Sequence, residues 1–105
     1  MTTRTDLSSP DLDRLRRLLA DHRQVRADQL TALDLQEHVD GGLDLPERLR
    51  TAAVARALLT DVEAALERIA DGSYGWCLRC LHPITRERLY AVPHVRYCVP
   101  CATGG

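Results

Sequence analysis

The stretch CLRCLHPITRERLYAVPHVRYCVPC, residues 77–101, holds all four cysteines of the 105-residue chain as two C-x-x-C pairs separated by seventeen residues. A C-x-x-C turn curls both sulfurs to one side, and two such turns supply the four thiolates of a tetrahedral zinc site. With no fifth cysteine the set closes, so Cys77, Cys80, Cys98 and Cys101 are the expected ligands of one zinc ion. Four protein ligands leave no open coordination position, which makes the metal structural and disfavours water activation at it. An end piece of roughly 30 residues cannot hold itself by burial alone, and zinc supplies the missing free energy. Between the pairs, Ile84, Leu89, Tyr90, Val92 and Val95 are too few for a separate core, and Pro83, Pro93 and Pro100 favour turns. Arg86 and Arg88 read as a solvated face. His82 and His94 lie near ligand positions but are not needed beside four cysteines.

Upstream of the cysteines the pattern is helical. Asp71-Gly72 stops a segment in which Ala52, Ala55, Leu59, Val62, Leu66 and Ile69 step by 3, 4, 3, 4 and 3 residues, a seam at coiled-coil spacing. Asp44 is its natural cap, with Pro46 and Glu47 in the first turn. The stretch VDGGLDLP, residues 39–46, is turn chemistry. Before it, Ser9-Pro10-Asp11 opens a first helix running to about His38, with Leu12, Leu15, Leu18, Leu19, Val25, Leu30 and Leu33 as a stripe broken at His22 and Arg26. Two helices of about 25 residues, each near 40 Å at about 1.5 Å per residue, with a short connection must run antiparallel.

The predicted fold is therefore mainly α. A long antiparallel helical hairpin (a coiled coil) spans residues 10–71 with its tip near 38–45, and a small four-cysteine zinc finger, residues 72–101, packs at its base. Residues 1–9 and 102–105 are expected to be tails.

Composition narrows the function. The fourteen basic residues are all arginine and stand against fifteen acids, a formal net charge of −1, so a general affinity for nucleic acid is not expected. The arginine bias fits a GC-rich genome. No segment approaches the roughly 18 apolar residues of a membrane span and the start has no apolar signal core, so the chain reads as cytoplasmic. No nucleophile–base pair, phosphate loop or open metal site appears, and an enzyme is not expected.

The finger is also familiar as a sequence. ALERIADGSYGWCLRC followed by PITRERLYAVPHVRYCVPC resembles the DksA/TraR family of bacterial transcription factors in its Asp71-Gly72 turn, Tyr74-Gly75 before Cys77, Arg88-Leu89, Ala91-x-Pro93 and the spacer length. The resemblance implies a hairpin inserted into the secondary channel of RNA polymerase, with acids at its tip near the catalytic magnesium, often acting together with the nucleotide ppGpp. The family's D-x-x-D-x-A pattern falls on Asp34-x-x-Glu37-x-Val39, and the turn signals make Asp40 and Asp44 rival tip acids, with His38 beside them. Leu81 departs from the family, which usually has glycine after the second cysteine. Two readings of other classes stay open: a stress sensor in which thiol oxidation ejects zinc, and a zinc-ribbon adaptor binding another protein or nucleic acid through the finger.

Overall fold

The computed structural model describes residues 5, 7–37 and 45–104. Two long helices, α1 (Ser9–Glu37) and α2 (Leu45–Asp71), pack antiparallel, and two short ones, α3 (Arg86–Ala91) and α4 (Val99–Ala102), belong to the finger. The molecule is elongated, 60 × 32 × 20 Å. The predicted mainly α hairpin with a finger at its base is the observed architecture. No helix among the described residues is long and apolar enough to cross a membrane.

Helix α1 begins one residue earlier than the sequence reading placed it. Ser8, not Ser9, is the cap: its Oγ accepts the Asp11 N–H at 3.2 Å, and the Asp11 carboxylate accepts the Ser8 N–H at 3.0 Å. This reciprocal pair is a capping box with aspartate in the glutamate position. Helix α2 ends as a Schellman motif. Gly72 takes φ +83°, and the Ser73 and Gly72 N–H groups return to the Arg68 and Ile69 carbonyls. Asp44, the expected cap of α2, lies outside the described residues, as does His38.

The buried stripe of α1 differs from the predicted one. Leu15, Leu19 and Leu33 are buried, but Val25 is 57% exposed, while His22 and Arg26 are half-buried. The seam therefore runs through Leu15, Leu19, His22, Arg26, Leu30 and Leu33, and the two polar residues occupy it. Arginine can do this because its aliphatic stem covers apolar surface while the head reaches out, here to Gln29 Oε1 at 3.0 Å. On α2 the seam is Ala52, Ala55, Val62 and Ala65, flanked by half-buried Leu59, Leu66 and Ile69. Ala65 was not expected there; being small, it is covered completely.

The core is concentrated at one end. Leu15 and Leu19 of α1, Val62 and Ala65 of α2, and Tyr74, Cys77, Ile84 and Leu89 of the finger form one buried cluster. Toward the tip the packing thins to Leu33, Ala52 and Ala55. Within the stretch expected to be a tail, Leu7 packs on this cluster, and Thr5 and Leu7 lie over Gly75. Gly75 sits at φ +98°, and a Cβ there would fall 2.9 Å from Thr5 Cγ2 and 3.3 Å from Leu7 Cδ1. Both the backbone and the close approach require glycine. Gly75→Ala is expected to lower stability by about 1–3 kcal/mol from the backbone conformation alone, measured as a shift in urea midpoint at unchanged zinc content.

Candidate metal centre

Each C-x-x-C pair is shaped by its own local structure. In the first knuckle the Cys77 N–H donates to the His82 carbonyl at 2.8 Å, the Leu81 N–H donates to the Cys77 carbonyl at 2.9 Å, and the Cys80 N–H points at Cys77 Sγ at 3.5 Å. Trp76 and Pro83 pair across the turn, and the Ile84 N–H closes it onto the Gly75 carbonyl. In the second knuckle Cys98 caps α4, with Pro100 in its first turn, and Cys101 follows inside it. The Leu78 N–H donates to the Arg96 carbonyl at 2.9 Å and ties the knuckles together.

The result brings the four sulfurs within 4.8 Å of one another, a group able to hold one metal ion. A tetrahedron with metal–sulfur bonds of about 2.3 Å has edges of about 3.8 Å, and Cys80 Sγ stands 3.7 Å from Cys98 Sγ. Burial would raise the Cys77 thiol, but N–H groups of Cys80, Cys98 and Arg79 outweigh it and bring it down to about 5. Cys101 is pushed up to about 12, first by its hydrogen bond with Cys98 and then by burial. Four sulfurs so close cannot all ionise against one another, and a divalent cation resolves the conflict. The donor set is that of a structural zinc. His82 is exposed and His94 half-buried, and neither joins the sulfur group. His94 instead faces the hairpin near His22 and Asp61, where burial lowers its basicity.

The finger is also locked to the hairpin without the metal. Asp11, 4% exposed, receives Arg86 through Nη2 at 2.9 Å and Nε at 3.2 Å, and the Tyr90 hydroxyl at 2.6 Å. Arg86 and Tyr90 project from successive turns of α3, with the guanidinium 5.1 Å from the Tyr90 ring centre. Helix α3 is itself started by Thr85, whose Oγ1 accepts the Arg88 N–H at 3.3 Å. Arg88 Nε donates to the Tyr97 carbonyl at 3.0 Å, and the buried Tyr74 hydroxyl donates to the Pro93 carbonyl at 2.8 Å. Arg86 and Arg88 are thus structural partners and not a free solvated face. The sequence reading gave Asp11 only a part in opening the first helix, because its partners lie 75 and 79 residues away.

Arg86 first, then Tyr90 and Ser8, hold the Asp11 carboxyl well below the usual carboxylate range. A carboxylate depressed in the folded state contributes stability above its unfolded value of about 4, and that contribution is lost as pH falls below it. Asp11→Asn is expected to lower the Tm by several degrees at pH 7. Its deficit against the wild type should shrink as pH falls from about 5 to about 3. Parallel thermal melts check this, since both proteins share the metal centre and its own acid sensitivity cancels in the difference.

Of the proposed tip acids, Asp34 is exposed one turn before the end of α1, and Glu37 is the last residue of that helix. Asp40 and Asp44 lie outside the described residues. At about 1.5 Å per residue, Asp34 stands roughly 28 Å along α1 from the core residue Leu15.

Leu81 keeps the backbone that glycine would favour. Its φ is +63°, and its side chain is 71% exposed. The family's glycine position therefore retains its left-handed shape here at a cost of about 1–2 kcal/mol.

Residues 72–104 match the family described as the prokaryotic dksA/traR C4-type zinc finger. Over 79 residues, 66% of this chain and 56% of the relative, the sequence is 34% identical to RNA polymerase-binding transcription factor DksA of Caulobacter vibrioides. A protein of Aquifex aeolicus is 48% identical over 46 residues, 44% of this chain and 32% of that protein. The chain thus spans about a third to just over half the length of these curated relatives. The solved structure of transcription factor DksA2 from Pseudomonas aeruginosa superposes with a TM-score of 0.73 at 29% identity, covering 91% of this chain and 83% of that one. A hairpin clamped at its base and a four-sulfur centre agree with this sequence likeness: residues 72–104 belong to the family of prokaryotic dksA/traR C4-type zinc fingers, and the chain that carries them is similar to DksA proteins.

Proposed function

We propose that this chain is a transcription regulator that acts on RNA polymerase in the cytoplasm and not an enzyme, its hairpin entering the secondary channel so that tip acids stand near the catalytic magnesium. The name of the Caulobacter relative supports the polymerase partner. The observation that carries the mechanism is the uneven packing. All three parts of the chain meet in one buried cluster at the base, while Asp34 is exposed at the other end of α1. A probe delivers its tip accurately only if its base is rigid.

In this reading Cys77, Cys80, Cys98 and Cys101 hold one structural zinc, the finger (72–101) braces the hairpin (10–71), and Asp34, Glu37, Asp40 and Asp44 do the work. Acids near the catalytic magnesium act through charge in a confined site, where each is worth more than in water. The nucleotide ppGpp is a candidate co-effector on the family resemblance, and sequence-specific DNA contact by the chain is not part of the mechanism.

Iron substituted for magnesium in the polymerase active site tests the geometry, because the hydroxyl radicals it generates cut only nearby backbone. Cleavage confined to about residues 34–45 of the bound chain is expected. Cleavage in the finger, or none in a saturated complex, contradicts the reading.

A further inference from the structure

Helix α2 carries a second stripe that the hairpin does not use. Its buried residues are Ala52, Ala55, Val62 and Ala65. A different face presents Arg50, Val54, Ala57 and Asp61, which step by 4, 3 and 4 residues and so stand in one row about 17 Å long. Val54 is 61% exposed and Ala57 is exposed beside it, with half-buried Leu58 at the edge. The row borders a groove of about 270 Å³ between the two helices, whose walls include Arg26 and Gln29 of α1 and Thr51 and Leu58 of α2. On α1, Val25 lies one turn before Gln29 and is 57% exposed. Apolar surface from both helices thus gathers at the middle of the hairpin, away from the finger and from the tip acids.

The charges at the two ends of the row select what covers it. Arg50 is exposed, and its side chain makes no hydrogen bond or ion pair among the described residues. Asp61, at the other end, is held only loosely, with Arg96 at 4.0 Å. The row therefore reads cation, valine, alanine, anion, and it is complementary to itself reversed. Laid antiparallel on a second copy, Arg50 meets the aspartate at position 61 of that copy at both ends, while Val54 meets alanine twice, large against small. A parallel pairing sets Arg50 against Arg50 and Asp61 against Asp61. An unrelated segment of one charge satisfies one end of the row and is repelled at the other.

We propose that this row and the groove beside it form the interface of an antiparallel homodimer, the two hairpins lying side by side with their fingers at opposite ends. The contact is confined to a few turns of helix, so the dimer is weak and reversible. It covers the middle of both hairpins, and in the polymerase reading above it is the form that stays outside the channel. The interface itself does not depend on that reading.

Sedimentation equilibrium of the full, zinc-loaded chain tests the dimer with no polymerase present. The wild-type mass is expected to rise from one chain toward two as concentration increases through about 10–100 µM. Val54→Glu is expected to weaken association by about tenfold or more at an unchanged Tm, because Val54 is exposed. Arg50→Asp and Asp61→Arg each bring like charges together at both ends of the row, and each is expected to stay monomeric alone. Mixed in equal amounts they are expected to dimerise as the wild type does, because every arginine of the mixed pair again meets an aspartate. Mixing would not rescue variants that had merely lost their fold. A wild type that stays monomeric throughout overturns the proposal, and so does a dimer that the three variants retain or a mixture that stays monomeric.

Discussion

Cys77→Ser is expected to release the zinc and unfold the finger, with much of the hairpin's stability lost alongside it. Cys77 is the one cysteine that is both a member of the sulfur group and fully buried in the shared core. Its removal takes one of four ligands and also loosens the packing of Tyr74, Ile84 and Leu89 on Leu15, Leu19, Val62 and Ala65. Structural zinc sites of this kind contribute on the order of 10 kcal/mol, comparable to the whole stability of a small domain, about 5–15 kcal/mol. Zinc content falls below one ion per chain, and the fluorescence of Trp76, the sole tryptophan, shifts as its pairing with Pro83 is lost. A strong chelator applied to the wild type reproduces both changes. A zinc-free variant that melts at the wild-type temperature would contradict a bracing role for the metal.

Removing the tip charge is expected to have the opposite profile: no structural effect and a large functional one. Asp34 is exposed and distant from the core, and surface substitutions of this sort change stability by no more than about 0.5 kcal/mol. Changing Asp34, Glu37, Asp40 and Asp44 together to alanine moves the formal net charge from −1 to +3. Zinc content stays at the wild-type level, and the melting temperature falls by a few degrees at most, the cost of removing Asp44 as the expected cap of α2. The chain still binds polymerase through its remaining surface, but its effect on transcription falls by about tenfold or more, the order expected when charge placed at a reacting centre is withdrawn. Asp34→Ala and Glu37→Ala made singly apportion the effect between the two acids matched to the family pattern.

The cysteine spacing made the finger legible because metal coordination fixes ligand type and separation so tightly that little else fits. The hairpin was legible for a weaker reason: Asp71-Gly72 and the Ala/Leu/Val seam of α2 are local signals. Where long side chains entered the seam, locality failed. Arg26 read as an interruption and Val25 as core, yet the helix turns Val25 outward and half-buries the arginine. Helix α3 was hidden among prolines, although Thr85 followed by Glu87 is a start signal that could have revealed it. The clasp of Asp11 on Arg86 and Tyr90 was beyond reach, since nothing local in S-P-D or R-E-R-L-Y says that these groups meet. Leu81 is the instructive case: the departure from glycine was visible in the sequence, but only the backbone angle shows that leucine occupies glycine's conformation and bears its cost.

The most direct test of the central claim is multi-round transcription by RNA polymerase of the source organism from a ribosomal-RNA promoter, with the wild type and the four-acid alanine variant compared at equal zinc occupancy. The expected result is a wild-type effect that vanishes in the folded, polymerase-bound variant. An undiminished effect in that variant would contradict it, and so would no effect from a fully zinc-loaded wild type.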